Sequence, residues 1–160
     1  MKKILLPMLA VMATFMTAGA QATDLSALTD AVYVEPLEAP AGSQQTLSVC
    51  MKNSIEVQTI QFDLYLPEGL TIVPNEDEEL MTASKARINK FNYFESSMQS
   101  DGALRLLAQA TTTNIAVGDG EIATVMVSVP ADMTLSDYPI TVKNIMLVSR
   151  KCLEGRRRSS

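Results

Sequence analysis

The sequence predicts an all-β chain folded as a two-layer sandwich, and three observations carry that prediction. Apolar residues recur with a period of two along most of the chain, turn-forming residues interrupt the alternation at short intervals, and no stretch with helical periodicity competes strongly. Eight short strands can be read between residues 31 and 149. A single open sheet of that many strands would leave an apolar face in water, so a second sheet must cover it.

The elements follow in chain order. Lys2 and Lys3 precede an apolar run of about thirteen residues from Ile4 to Met16, followed by small residues and an Ala18-Gly19-Ala20 cleavage pattern. Residues 1–22 are therefore expected to be a secretory signal peptide. A bilayer core of roughly 30 Å needs about twenty helical residues, so the run is too short for a lasting membrane span. Cleavage after Ala20 or Ala22 leaves no Cys at the junction to take a lipid. The expected mature form is soluble and secreted, extracellular or periplasmic.

A first strand is expected at residues 31–35, ended by the stretch from Pro36 to Pro40 and the Ala41-Gly42-Ser43 turn. A second follows at 45–52. The clearest strand spans 57–66, where Ile60, Phe62, Leu64 and Leu66 alternate with Thr59, Gln61, Asp63 and Tyr65. Pro67-Glu68-Gly69 turns the chain into a short apolar strand at 70–73, which Pro74 and Asn75 stop. The acidic run from Glu76 to Glu79 has two readings, a calcium loop or a solvated surface loop, and four adjacent acids favour the second. Residues 80–89 are ambiguous, since Ala83, Lys85, Ala86 and Arg87 would tolerate a helical turn. Ser100-Asp101-Gly102 joins 91–98 to 103–109 as a hairpin. Gly118-Asp119-Gly120 introduces a strand at 121–129, with Ile122, Thr124, Met126 and Ser128 alternating against Ala123, Val125, Val127 and Val129. The last strand runs over 139–149. Domain organisation is thus residues 1–22 as signal, 23–154 as one sandwich domain, and 155–160 as a disordered basic tail.

Composition narrows the chemistry. Loss of Lys2 and Lys3 leaves 11 of 13 basic residues against 18 acidic ones, a net charge of −7, which is a poor basis for nucleic-acid binding. The chain contains no His, which removes the usual general base near neutral pH and the commonest zinc ligand. No glycine-rich phosphate loop is present, and no carboxylate pair is marked for glycoside hydrolysis. A non-enzyme without cofactor or metal is expected. Cys50 and Cys152 are an even pair in an exported chain. Either they form a disulfide closing a loop of about 100 residues, worth up to ~4.7 kcal/mol in the chain-entropy model, or Cys50 is a small strand residue and Cys152 belongs to a loose tail.

Two segments carry a family resemblance. IQFDLYLPEGLTIV at residues 60–73 and GDGEIATVMVSV at 118–129 resemble parts of cohesin-type modules, and the order of the other strands agrees over roughly residues 31–150. The resemblance implies a jelly-roll sandwich of eight to nine strands, in the superfamily that also holds cellulose-binding modules, and a binding role. The resemblance does not itself choose between protein and carbohydrate; the partner expected first is a protein, of the dockerin-bearing kind found in polysaccharide-degrading assemblies. Direct carbohydrate binding and a subunit that accepts a donated strand are the alternatives. Polysaccharide is usually gripped by coplanar aromatic rings, and a chain with no Trp, four Tyr and four Phe is poorly supplied with them. The family's recognition sheet, transferred residue by residue, places Thr59, Gln61, Asp63 and Tyr65 with Arg105 and Leu107 on the binding face. Cohesins end in a ninth strand beside the first; here the chain passes Cys152 into Gly155-Arg156-Arg157-Arg158-Ser159-Ser160, without a strand pattern, so the first strand is expected to be an open edge.

Overall fold

The structure, a computed structural model, describes residues 3–6, 8–9, 11–12, 30–134 and 136–149. The expected cleavage points, Cys152 and the basic tail lie outside these residues. Among the described residues thirteen strands occur, in chain order: β1 (Lys3–Leu6), β2 (Met8–Leu9), β3 (Val11–Met12), β4 (Ala31–Val34), β5 (Leu37–Pro40), β6 (Gln44–Asn53), β7 (Thr59–Tyr65), β8 (Thr71–Val73), β9 (Thr82–Ala83), β10 (Tyr93–Met98), β11 (Leu104–Gln109), β12 (Gly118–Ser128) and β13 (Ile140–Val148). No helix occurs among the described residues.

Two sheets form the sandwich. One has the order β10-β11-β7-β13-β2 and the other β3-β4-β6-β12-β8, with β9 also on β12; β1 and β5 make a separate pair. All pairings are antiparallel except β2 with β13. The period-two pattern has its expected consequence: Ile60, Phe62 and Leu64 of β7, with Leu104 and Leu106 of β11, share one core with Leu47, Val49 and Met51 of β6 and Val125 and Val127 of β12. Each such side chain taken out of water is worth about 1.5–3 kcal/mol, and this burial is what holds the two sheets together.

The structure departs from sequence expectation at three places, and it settles the segment after the acidic loop that the sequence left open: Thr82–Ala83 is a short strand, bends follow, and Met81, Ile88 and Phe91 are buried in the core. Leu37–Pro40 is a strand, where the flanking prolines suggested a break; Pro40 sits at its end, where a missing N–H costs no ladder bond, and Ala39 is buried. In β12 the register slips between Glu121 and Ala123, so Ile122 is an extra residue and faces the core together with Ala123. Finally, the outer edge of β4 is not open: Val11 and Met12 of β3 pair with Val32 and Ala31.

Candidate functional site

The outward face of the β10-β11-β7-β13 sheet gathers all six residues nominated from the sequence. Register places them in rows across the strands. One row runs Ser97, Arg105, Asp63, Lys143; the next Glu95, Leu107, Gln61, Met146; the third Tyr93, Gln109, Thr59, Val148. Tyr65 and Thr141 stand beyond the first row. Met146 and Tyr93 are 45% and 42% exposed, so together with Leu107 they add apolar surface to the polar residues of the face.

Asp63 occupies the centre but is spent internally. It is 2% exposed and accepts from Arg105 Nε at 2.7 Å, Arg105 Nη2 at 2.9 Å and Asn144 Nδ2 at 2.8 Å. The fork of Arg105 fits both carboxylate oxygens, which is the strong bidentate geometry. These bonds, Arg105 first, hold the Asp63 carboxyl below the usual carboxylate range against the opposing effect of burial. Asp63 therefore works as a clasp that fixes Arg105, whose side chain remains 38% exposed and available.

Asn144 is the residue that sequence reasoning missed. Strand β13 gains one residue between Lys143, opposite Asp63, and Met146, opposite Gln61. Asn144 takes the extra position with φ of 53°, a left-handed conformation that Asn tolerates better than most residues. A signal was present: strict alternation from Val142 would have pointed Asn144 into the core, a cost that a bulge removes. The bulge turns Met146 outward into the Leu107 row while Ile145 stays buried.

Tyr65 is pinned as well. Its hydroxyl donates to Asp101 at 2.7 Å, and Lys143 Nζ lies 5.1 Å from the ring centroid, within cation–π range. The Asp101 bond pushes the Tyr65 hydroxyl above its ordinary value and the Asp101 carboxyl below its own. At the far end, Asn92 fixes the loop after β11 by accepting from the Thr112 backbone N–H at 3.1 Å. The face thus carries a rigid charged row, a partly apolar row and a fixed flanking loop. This arrangement offers shape and fixed contacts to a ligand.

No family model matches the sequence, and no curated relative matches it. Solved structures do. The chain resembles a type III cohesin module from the ScaE cell-surface anchoring scaffoldin of Ruminococcus flavefaciens, with TM-score 0.55 and 17% identity over 68% of this chain and 64% of that one. The chain therefore spans just under two thirds of that module. It resembles CaCohA2 of Clostridium acetobutylicum with TM-score 0.58 and 14% identity, over 71% of this chain and 74% of that one. A type I cohesin–dockerin complex of Clostridium thermocellum, Coh-OlpA with Doc918, matches with TM-score 0.55 and 16% identity, over 68% of this chain and 77% of that one.

The chain has a cohesin-like fold.

Two further features of the cohesin-like domain explain motifs noted in its sequence. Arg87, from the ambiguous segment, closes one end of the sandwich by donating to Met51 O at 2.7 Å, Asn53 Oδ1 at 2.7 Å and Ala116 O at 2.6 Å. Gly118 and Gly120 make room for it: a Cβ at Gly118 would stand 3.0 Å from Arg87 Nη2, and one at Gly120 3.2 Å from Cδ. The Gly-Asp-Gly motif is thereby a packing requirement. On the outer face of the other sheet, Cys50 is a free thiol, 2% exposed, in the row Tyr33, Cys50, Glu121. Burial first, then Glu35, Glu121 and Asp119, push its thiol up to about 12.

The acidic run of the cohesin-like domain is organised by Asn75, whose Oδ1 accepts from the backbone N–H of Asp77 and Glu79, both at 2.9 Å. Glu76, Asp77, Glu78 and Glu79 are exposed. Among the described residues no three His, Cys, Asp or Glu side chains converge as a metal site would require. Among them, too, no helix is long and apolar enough to cross a membrane.

Proposed function

We propose that this chain is an exported, non-catalytic binding module that holds a protein partner on the outward face of the β10-β11-β7-β13 sheet. One observation carries the reading: Thr59, Gln61, Asp63, Tyr65, Arg105 and Leu107 share that face, in adjacent rows, and the Asp63 clasp rigidifies it before any partner arrives. Preorganisation of this kind lowers the ordering cost of association. Leu107 and Met146 supply the apolar patch, Arg105 and Lys143 the flanking cations, and Tyr65 an aromatic anchor of the type that dominates interface energies.

Four strands about 4.8 Å apart present roughly 450–600 Å², short of the ~800 Å² per partner of a standard interface, so the fixed loop after β11 belongs to the contact. The cohesin–dockerin complex of similar fold supports a dockerin-bearing partner, and with it a place in a polysaccharide-degrading assembly outside the cell. The leader signature at residues 1–22 supports export. The absence of Trp and the scattering of the four Tyr weigh against a polysaccharide ligand.

The test is capture of a panel of purified dockerin modules by the immobilised chain, with Leu107→Glu and Met146→Glu measured beside the wild type. At least one dockerin should bind, and each substitution should weaken it about 30-fold or more, the effect of losing a hot spot of about 2 kcal/mol. Binding that survives both substitutions at full strength would remove this face from the account. Saturable binding to a glycan array with none to dockerins would overturn the partner class.

A further inference from the structure

The segment Lys3–Met12 carries part of the leader signature, and in the structure it also supplies three short strands along one side of the sandwich. Lys3 to Leu6 pair with Pro40 to Leu37 of β5, Met8 and Leu9 run parallel to Ile140 and Thr141 of β13, and Val11 and Met12 pair with Val32 and Ala31 of β4. One peptide, in one direction, thus satisfies three receiving strands that belong to both sheets. Lys3 is the only charged residue among positions 3–12.

Among the described residues, the other neighbour of β4 is β6, that of β13 is β7, and β5 pairs with β1 alone. Their core-facing residues are small or branched and buried, Val32 and Ala39 at 0% and Ile140 at 2%, and Ala31 beside Val32 is buried as well. Excision after Ala20 or Ala22, which the leader signature predicts, would uncover two sheet edges and an unpaired strand at once. An exposed apolar edge of this kind is a template for strand addition.

We infer that the side formed by β4, β5 and β13 is a strand-acceptor site. It takes an extended, apolar peptide of about ten residues, roughly 33 Å long, entering antiparallel to β4 and β5 and parallel to β13. In the unprocessed chain the occupant is Lys3–Met12; in the processed chain it is an apolar strand donated by another polypeptide. This site runs along the edges of the sandwich, whereas the proposed recognition face is the outward surface of one sheet, and β13 belongs to both.

The experiment uses the full chain with a protease site inserted within residues 13–29. After cutting, the N-terminal fragment should co-elute with the domain on size exclusion. A fluorescein-labelled synthetic peptide of residues 3–12 should then exchange in, with a saturable rise in anisotropy. The same peptide carrying Leu5→Pro, Leu9→Pro and Val11→Pro, which removes strand N–H donors, should show at least tenfold weaker uptake. Should the fragment leave and the domain lose its strand circular dichroism, recovery on adding the unmodified peptide supports the site. Failure of the peptide to restore the signal overturns it. The inference also fails if the fragment dissociates with melting temperature unchanged and no labelled peptide is taken up, or if the proline peptide binds equally well.

Discussion

Replacing Asp63 by Ala removes the acceptor of three hydrogen bonds, two from Arg105 and one from Asn144. A hydrogen bond to a charged group contributes about 1.5–3 kcal/mol, but Arg105 and Asn144 are both open enough to regain water, which reduces the loss. The expected destabilisation is about 2–3 kcal/mol in total. For a domain of this size that corresponds to a fall in Tm of roughly 6–12 °C. Because the folded-state carboxyl is held below its ordinary value, its contribution is complete above the unfolded pKa of about 4 and is lost as pH falls through the lower folded value. The gap between wild type and Asp63→Ala should therefore stay level from pH 8 to about 5 and narrow below about 4. Asp63→Asn, which keeps one acceptor and loses the charge, should fall between the two and change little with pH. The chain lacks Trp, so urea denaturation followed by far-ultraviolet circular dichroism is the assay. A gap below about 0.5 kcal/mol at pH 7, the scatter of an ordinary surface substitution, or a gap that widens on acidification, would refute the clasp.

Other consequences are as direct. Arg87→Ala strands acceptors at Asn53 and two backbone carbonyls and should cost about 2–3 kcal/mol, while Gly118→Ala should cost about 1–2 kcal/mol by crowding Arg87. In the double variant the Gly118→Ala cost should largely vanish, since its clash partner is gone, and a double-mutant cycle in urea reads that coupling. Cys50, with its thiol raised to about 12, should be one part in ten thousand thiolate at pH 8 and resist iodoacetamide in the native state; rapid native labelling at that position, read by mass spectrometry, contradicts the burial. Asn144→Gly should keep the bulge but withdraw one of the three bonds to Asp63 and so loosen the clasp, lowering partner affinity more than stability, whereas Asn144→Val should lower both, because a branched residue strains at positive φ.

Most of the fold was legible because its energetics are local in sequence. Alternation along residues 57–66 and 121–129 specified which side of each strand is wet, and Asp101-Gly102 specified the hairpin between β10 and β11. What could not be read was whatever depends on a partner distant in sequence. Asp63 looked like an outward, solvated acid, and only the registers bringing Arg105 and Asn144 beside it make it a buried clasp. Ile122 and Asn144 broke the alternation, yet a bulge inverts facing without any turn residue to announce it. Arg87 stood in a segment of mixed propensity, and its role follows from two glycines some thirty residues later. The six nominated residues lie on one side of the sheet; that Asp63 among them is buried and structural was outside the reach of pattern alone.

The most direct test of the central claim is hydrogen exchange of the chain alone and with a captured dockerin module. Slowed exchange should concentrate in β7, β11, β13 and the loop after β11, leaving β6 and β12 unchanged. Protection confined to β6 and β12, or spread evenly over the sandwich, would contradict the proposed face.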